Sequence, residues 1–307
     1  MSAVCDRCKR VPVIFIRYSG QHLCGDHFVD LIRRRFGKEA RSQGLIKDRS
    51  RIGVALSGGK DSILVLKLLH DLAGKIRGKE IVAITIDEGI GGYRETSVDI
   101  GKKYTEEIGV EWTLLNFREL FGMALDDMVK SSELGPCTIC GTLRRQALNR
   151  AAKSSGSDIL VTGHNLDDMA QTVLMNVLSA DVQRFARMGP HGRTVPGFIP
   201  RAMPLRTTPE TETYLTATLL GLPLHELECP YAEAAHRGTF RDIIMMAERE
   251  TPGTRHSLLR FHEHLARYVP TGDAVSNECP RCSEPVSKND EGNLCKACSL
   301  LDQLGVG

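Results

Sequence analysis

Ten cysteines fall into three groups, and each group is spaced for metal chemistry or something close to it. The first is Cys5-x2-Cys8, fifteen residues, then Cys24-x2-His27. Two short knuckles of that kind bring four N and S donors to one tetrahedral ion, the arrangement of a structural zinc site. The last is Cys279-x2-Cys282, twelve residues, then Cys295-x2-Cys298, four thiolates on "CPRC" and "CKAC" knuckles. Both sets are expected to hold zinc with no open coordination position, so their role is architectural. Cys137, Cys140 and Cys229 remain. "GPCTICG" offers a thiol pair, and no further cysteine is left to give a single zinc ion its fourth ligand. Three thiolates suit a cubane iron–sulfur cluster with one iron not held by protein. An ordinary buried core residue at Cys229 fits the sequence as well.

A second kind of chemistry is written in "SGGKDS", residues 57–62, which follows an apolar run and opens a helical one. Gly58 and Gly59 let backbone approach a phosphate closely. The helix N-terminus offers free N–H donors, and Ser57, Lys60 and Ser62 can add side-chain donors. The Walker A spacing is absent, and a plain Gly-Gly turn before a helix reads the same way. Asp61 would repel a triphosphate unless Mg²⁺ intervenes, so it reads as a metal-holding carboxylate or as a helix cap. Downstream, "TGHNLDD" brings Gly163 and Asp167 toward the same edge. Asp168 there is equally a partner of the helix dipole.

The elements that must position these residues alternate. "IGVALS", "EIVAITID", "VEWTLLN" and "DILVTGH" read as buried strands, separated by helical spacing in "ILVLKLLHDLAG", in the stretch up to Gly109, and around "GTLRRQALNRAAK". "LDDMAQTVLMNVLSA" follows as a further helix. That order predicts a parallel sheet with both faces covered, and ligands bind beyond the carboxyl ends of such strands.

A chain of 307 residues that is 41% hydrophobic and 25% charged can bury one large core with small appendages. No apolar run approaches the roughly 18 residues of a membrane span, and no signal segment opens the chain; both predict a soluble, cytoplasmic protein with no membrane partner. The net charge of +2 hides two basic stretches. Residues 31–51 hold Arg33, Arg34, Arg35, Lys38, Arg41, Lys47, Arg49 and Arg51 against Glu39 and Asp48; residues 182–209 hold Arg184, Arg187, Arg193, Arg201 and Arg206 with no carboxylate. Each is a solvated face or a grip on a polyanion such as nucleic acid.

With these residues in view, "SGGKDS" resembles the signature of the PP-loop ATP pyrophosphatases, which split ATP between the α and β phosphates. "IDEGIGGYRE", "CTICGTLRR", "TGHNLDDMAQTVLMN", "ECPYAEAAHRG" and the terminal knuckles are similar to the tRNA 2-thiouridine synthetase branch of that family, in order, from Cys5 to about Leu304. The resemblance implies an α/β fold: a PP-loop (adenine nucleotide alpha hydrolase-like) parallel sheet with helices on both faces, flanked by small zinc knuckles. The implied division is 1–30 N-terminal knuckle, 31–48 basic helical linker, 49–225 ATPase domain, 226–270 helical extension with the third cysteine, and 271–307 C-terminal knuckle. It implies ATP contacts at Ala55, Ser57, Gly58, Gly59, Lys60, Asp61, Ser62, Ile86, Gly163 and Asp167, with Mg²⁺. It implies two Zn²⁺, and a [4Fe–4S] cluster with one open iron on Cys137, Cys140 and Cys229. Some relatives acting on the T-loop uridine carry a lysine, assigned a catalytic role, where this chain has Arg144. An arginine there stays charged but is a poor proton donor, which leaves an electrostatic role.

"DEGIGGYR" and "HRGTFRD" are closer to the members that thiolate the wobble uridine, position 34. The implied activity is ATP-dependent tRNA sulfur transfer: the uracil C2 oxygen is adenylated, and AMP then leaves as sulfur arrives. The alternative is the same chemistry at uridine 54. A PP-loop amidotransferase or ligase acting on a small molecule is a different class, and it has no need of three central cysteines. The implied partners are tRNA, a sulfur donor (free sulfide or a thiocarboxylated ubiquitin-like protein), and a second copy or a paralogous subunit. Asp61, Cys137, Cys140, Cys229 and Arg144 are the expected catalytic residues, by way of the cluster or of a persulfide.

Overall fold

A computed structural model of the chain describes residues 3–45, 50–74, 76, 78–190, 197–225, 227–232, 237–269, 275–287 and 293–306. Lys47, Arg49, Arg193 and most of the "AEAAHRG" block lie outside the described residues. A small antiparallel pair, β1 (Ile14–Ile16) and β2 (Gln21–Leu23), carries the first knuckle and leads into α1 (Gly25–Ser42). The expected boundary between residues 30 and 31 falls inside this helix, whose Phe28, Ile32 and Phe36 are buried along one stripe.

The alternating segment follows: β3 (Ser50–Ala55), α2 (Lys60–Ala73), β4 (Lys79–Asp87), α3 (Arg94–Ile108) and β5 (Glu111–Asn116). Two short helices, α4 (Phe117–Phe121) and α5 (Leu125–Lys130), precede the long α6 (Pro136–Ser154) and β6 (Ile159–Val161). Next come α7 (Leu166–Leu178), α8 (Val182–Arg187), β7 (Arg201–Ala202) and α9 (Glu210–Leu219). The helices α10 (Arg237–Glu250) and α11 (Thr254–Leu265) pack on α7. A hairpin of β8 (Val275–Glu278) and β9 (Pro285–Ser287), then α12 (Lys296–Gln303), forms the C-terminal knuckle.

The central sheet has the order β5-β4-β3-β6-β7, and all its pairings are parallel. The four expected strands are present. β7 is an addition at the edge, two residues long between Pro200 and Pro204, too short for any periodicity. Side chains alternate across the sheet as a strand requires. Ile52, Val54 and Ala83 join one core with α1 and α2; Val82, Ile84, Ile86 and Leu160 join a second with α4, α5, α6 and α12. Reversal of the strand order between β4 and β6 about β3 opens a crevice at the carboxyl edge, where ligands of such sheets sit. Among the described residues no helix is long and apolar enough to cross a membrane.

Candidate active site

The 57–62 loop leaves β3 at this carboxyl edge and enters α2. Gly58 has φ +83, and a Cβ on it would lie 1.9 Å from the Ser97 carbonyl oxygen, so only glycine fits against α3. Gly59 is the N-cap of α2, with extended backbone and no side-chain cap. Asp61 is therefore not the cap, and the first-turn N–H groups remain available to an anion. The Ser62 hydroxyl donates to the Gly59 carbonyl at 2.8 Å, and Ser57 Oγ donates to Ser62 Oγ at 3.1 Å. At the end of β6, a Cβ on Gly163 would come within 3.0 Å of the Asp61–Ser62 backbone, so the two loops pack main chain to main chain.

Asp61 accepts from Thr213 Oγ1 at 2.5 Å on one oxygen, and from Lys60 Nζ at 3.0 Å and Asn165 Nδ2 at 3.3 Å on the other. Burial pushes its carboxyl above the usual range, against the pull of Lys60 and Thr213. Lys60 also reaches Glu210 at 2.7 Å. Asp167 is engaged elsewhere: it accepts from the Glu210 backbone N–H at 2.7 Å and pairs with Arg255 at 2.6 Å, tying α7 to α9 and α11. Asp168 forms a capping box with Asn165 and meets Arg237 at 3.3 Å. Ala55 ends β3 beside Ile84, and the Ile86 carbonyl accepts from Arg94 Nη2 at 2.5 Å.

Cys137, Cys140 and Arg144 occupy one stripe of α6, at i, i+3 and i+7, beginning at a helix start that Pro136 pre-sets. Cys229 approaches them from the segment before α10, not from a helix. Cys137 is exposed, and Cys140 and Cys229 are half-buried. Burial pushes the Cys140 thiol up to about 11; Arg144 opposes this, while Glu88, Cys229 and Cys137 reinforce it. Arg144 in turn, locally desolvated although half of its side chain is exposed, is raised by Cys140, Glu88, Tyr93 and Cys229. These groups share one site. The three cysteines are not among the sets whose ligand atoms converge within 4.8 Å. A single ion needs that convergence, and a polynuclear cluster needs its thiolates farther apart.

Two residues here escaped the sequence reading, Glu88 and Arg94. Both are buried, and Arg94 Nε lies 2.7 Å from Glu88 Oε2 without N–H alignment. Arg94 also donates to the Ser57 carbonyl at 2.9 Å and to Ser97 Oγ at 2.7 Å, while Arg144 Nη1 lies 3.4 Å from Glu88 Oε1. The available signal was an acid and a base flanking a glycine turn directly after a buried strand.

The terminal sets converge. Cys5, Cys8, Cys24 and His27 place their ligand atoms within 4.8 Å of one another, as do Cys279, Cys282, Cys295 and Cys298. Contacts such as Cys8–Cys24 at 3.6 Å and Cys282–Cys295 at 3.5 Å approach the spacing of about 3.8 Å that Zn–S bonds of ~2.3 Å impose on a tetrahedron. Cys5 is pulled down to about 5: burial raises it, and the backbone N–H groups of Cys24, Arg7 and Cys8 together with His27 outweigh that. Such a thiolate suits a cation. In the second set, Gln146 of α6 donates to Cys282 Sγ at 3.2 Å.

The basic stretches divide. In the first, Arg35 is bound to Glu212 at 2.7 Å and Arg51 to Glu80 and Glu111, so neither is free for phosphate, and Arg33 meets Asp71 at 3.7 Å. In the second, Arg206 is held between Glu39 and Glu263. Arg201 is different. It donates to the Arg145 carbonyl at 3.4 Å, and burial and the Arg145 charge lower it to about 10. Arg145, exposed on α6, is lowered by local desolvation and by the charges of Arg184 and Arg144. Among the described residues neither has a carboxylate partner.

Comparisons with known proteins follow this geometry. A family model described as a PP-loop domain matches residues 31–193, and one described as the N-terminal LIM domain of the 2-thiouridine synthetase TtuA matches residues 4–29. The tRNA 2-thiolation protein NcsA of Haloferax volcanii is 38% identical, over 98% of each chain. Mouse cytoplasmic tRNA 2-thiolation protein 1 is 36% identical over 99% of this chain and 73% of its own. Among solved structures, the U34-tRNA thiolase NcsA from Methanococcus maripaludis, with its [4Fe-4S] cluster, superposes with a TM-score of 0.86 at 32% identity, covering 98% of this chain and 96% of that one.

Proposed function

We propose, from the premise that this chain belongs to the PP-loop family of tRNA 2-thiolation proteins, that it makes 2-thiouridine at wobble position 34 of tRNA. The chain is a PP-loop tRNA sulfurtransferase. The observation that carries the finer one is the whole-length likeness to a U34-tRNA thiolase, together with a phosphate-type loop and three cysteines at one sheet edge.

The uracil C2 oxygen is a poor leaving group, and transferring AMP to it makes displacement by sulfur feasible. Ser57, Gly58, Gly59, Lys60 and Ser62 would bind the ATP phosphates at the N-terminus of α2, where N–H donors face the charge that develops on pyrophosphate. Lys60 needs only to exchange Glu210 for phosphate. Mg²⁺ fits at Asp61, whose Oδ1 accepts a single hydrogen bond and keeps a lone pair, and the ion when bound neutralises phosphate charge. Cys137, Cys140 and Cys229 would hold a [4Fe–4S] cluster, their number leaving one iron without a protein ligand, and when bound the cluster would present sulfide taken from an external donor in activated form. Arg144 sets a positive charge beside Cys140 and partly offsets the burial that raises its thiol. Arg145 and Arg201, lacking carboxylates, would take tRNA backbone phosphates beside it. A loop uridine is already unpaired, so moving it into the crevice costs only a few kcal/mol of stacking. The terminal sets would hold two structural Zn²⁺.

Mass spectrometry of tRNA nucleosides from cells lacking the protein tests the reading. Loss of 2-thiouridine derivatives at position 34 is expected; loss confined to position 54, or no loss, overturns the wobble assignment.

A further inference from the structure

Glu88 and Arg94 are 3% and 4% exposed and touch both halves of the site without belonging to either. Each contact of the Arg94 guanidinium goes to an element of the site. Nη1 holds the Ser57 carbonyl, the first residue of the phosphate loop, and Ser97 Oγ beneath it. Nη2 holds the Ile86 carbonyl at the end of β4, and Nε faces Glu88. The other Glu88 oxygen faces Arg144, on the helix of Cys137 and Cys140. The loop cannot slip past this brace, because Gly58 already lies against the Ser97 carbonyl with no room for a Cβ.

Stability does not account for such a pair, since apolar side chains of similar volume commonly serve as well or better in a core. A fixed, forked arginine does account for it, as five donors can pin several carbonyls at once. We propose that Glu88 and Arg94 are positioning residues that tie the 57–62 loop to Arg144, so that the phosphate-binding half and the cysteine half of the site are set together. The proposal rests on reading 57–62 as the ATP site. The Arg144–Glu88 contact, at 3.4 Å with Arg144 49% exposed, is the link most easily released.

Hydrogen-exchange mass spectrometry on the full zinc-loaded chain, with and without a non-hydrolysable ATP analogue, tests this without measuring thiolation. In the wild-type protein the analogue should slow exchange in peptides spanning residues 54–66 and 136–148. For the second peptide the slowing should be about fivefold or more, the lower end of ordinary site–site coupling. Glu88→Gln should keep the first response and lose the second. Arg144→Gln removes only the exposed end of the link, so it should fold and give the same split. Retention of the 136–148 response in Arg144→Gln, or its absence from the wild-type protein while 54–66 responds, overturns the proposal. Absence of both responses in the wild-type protein overturns the ATP-site reading, and the coupling with it.

Discussion

Replacing Arg145 and Arg201 with glutamine should flatten the salt dependence of tRNA binding by an amount that the charge pairing sets. Each cation that neutralises a single-strand phosphate contributes about 0.7 to the slope of log K against log salt, and about 0.9 on a duplex. Arg145 and Arg201 have only cationic neighbours influencing them, so both should count in full, and their joint loss should lower the slope by about 1.5. Between 50 and 200 mM salt, a fourfold change, that difference amounts to about eightfold in relative affinity. Fluorescence anisotropy with labelled tRNA across that range measures it. Arg51→Gln is the control, because Arg51 is already spent on Glu80 and Glu111, and its slope should match the wild type. An unchanged slope in the double variant, or an equal fall in Arg51→Gln, would refute the reasoning that unpaired arginines mark the tRNA path.

Metal analysis of anaerobically purified protein should give about two zinc ions per chain; Cys295→Ser should lose one of them while ATP binding persists. Asp61→Asn should abolish AMP formation in the presence of tRNA and leave tRNA affinity nearly intact, and ADP as the wild-type product would contradict the PP-loop chemistry. Serine at Cys137, Cys140 or Cys229 should remove iron–sulfur absorbance and thiolation together, whereas full single-turnover activity of iron-free protein would end the cluster reading in favour of a persulfide. Burial and the nearby Arg35 lower His256 from 6.5 to about 4, so the unfolded chain binds the proton more readily. Stability should be complete above pH 6.5 and fall toward pH 4, less steeply in His256→Gln; identical acid limbs in thermal unfolding would count against this.

The sheet was legible because its inner strands are buried on both faces and read as continuous apolar runs, as in "IVAITID". The terminal metal sets were legible for a different reason. Their ligands are adjacent in sequence within each knuckle, so spacing alone nearly fixes geometry. What the sequence withheld is pairing across long separations. Lys60 with Glu210, Asp61 with Thr213 and Arg51 with Glu111 join residues that no periodicity relates. For that reason the 31–51 run looked like a phosphate grip, although Arg35 and Arg51 are neutralised by carboxylates far along the chain. Asp167 stood beside the loop by motif, yet its carboxylate is directed to Arg255 and the Glu210 N–H.

The C-terminal knuckle has a clearer task than its peripheral place in the sequence suggests. α6 carries Cys137, Cys140 and Arg144 on its first three turns, and from Gln146 onward it holds the knuckle. Gln146 donates to Cys282, Asn149 to Glu284, and Lys153 Nζ meets Glu284 at 2.9 Å. Cys279, Cys295 and Cys298 are buried in the same core as Ile139 and Leu143. A helix start is otherwise the part most prone to fray, and the two cysteines that this one brings to the site could not tolerate that. Closing four thiolates on one ion would fold the knuckle, and the folded knuckle would fix the body of the helix. Zinc would thereby steady the cysteines from a distance, with no open coordination position and no part in the reaction itself.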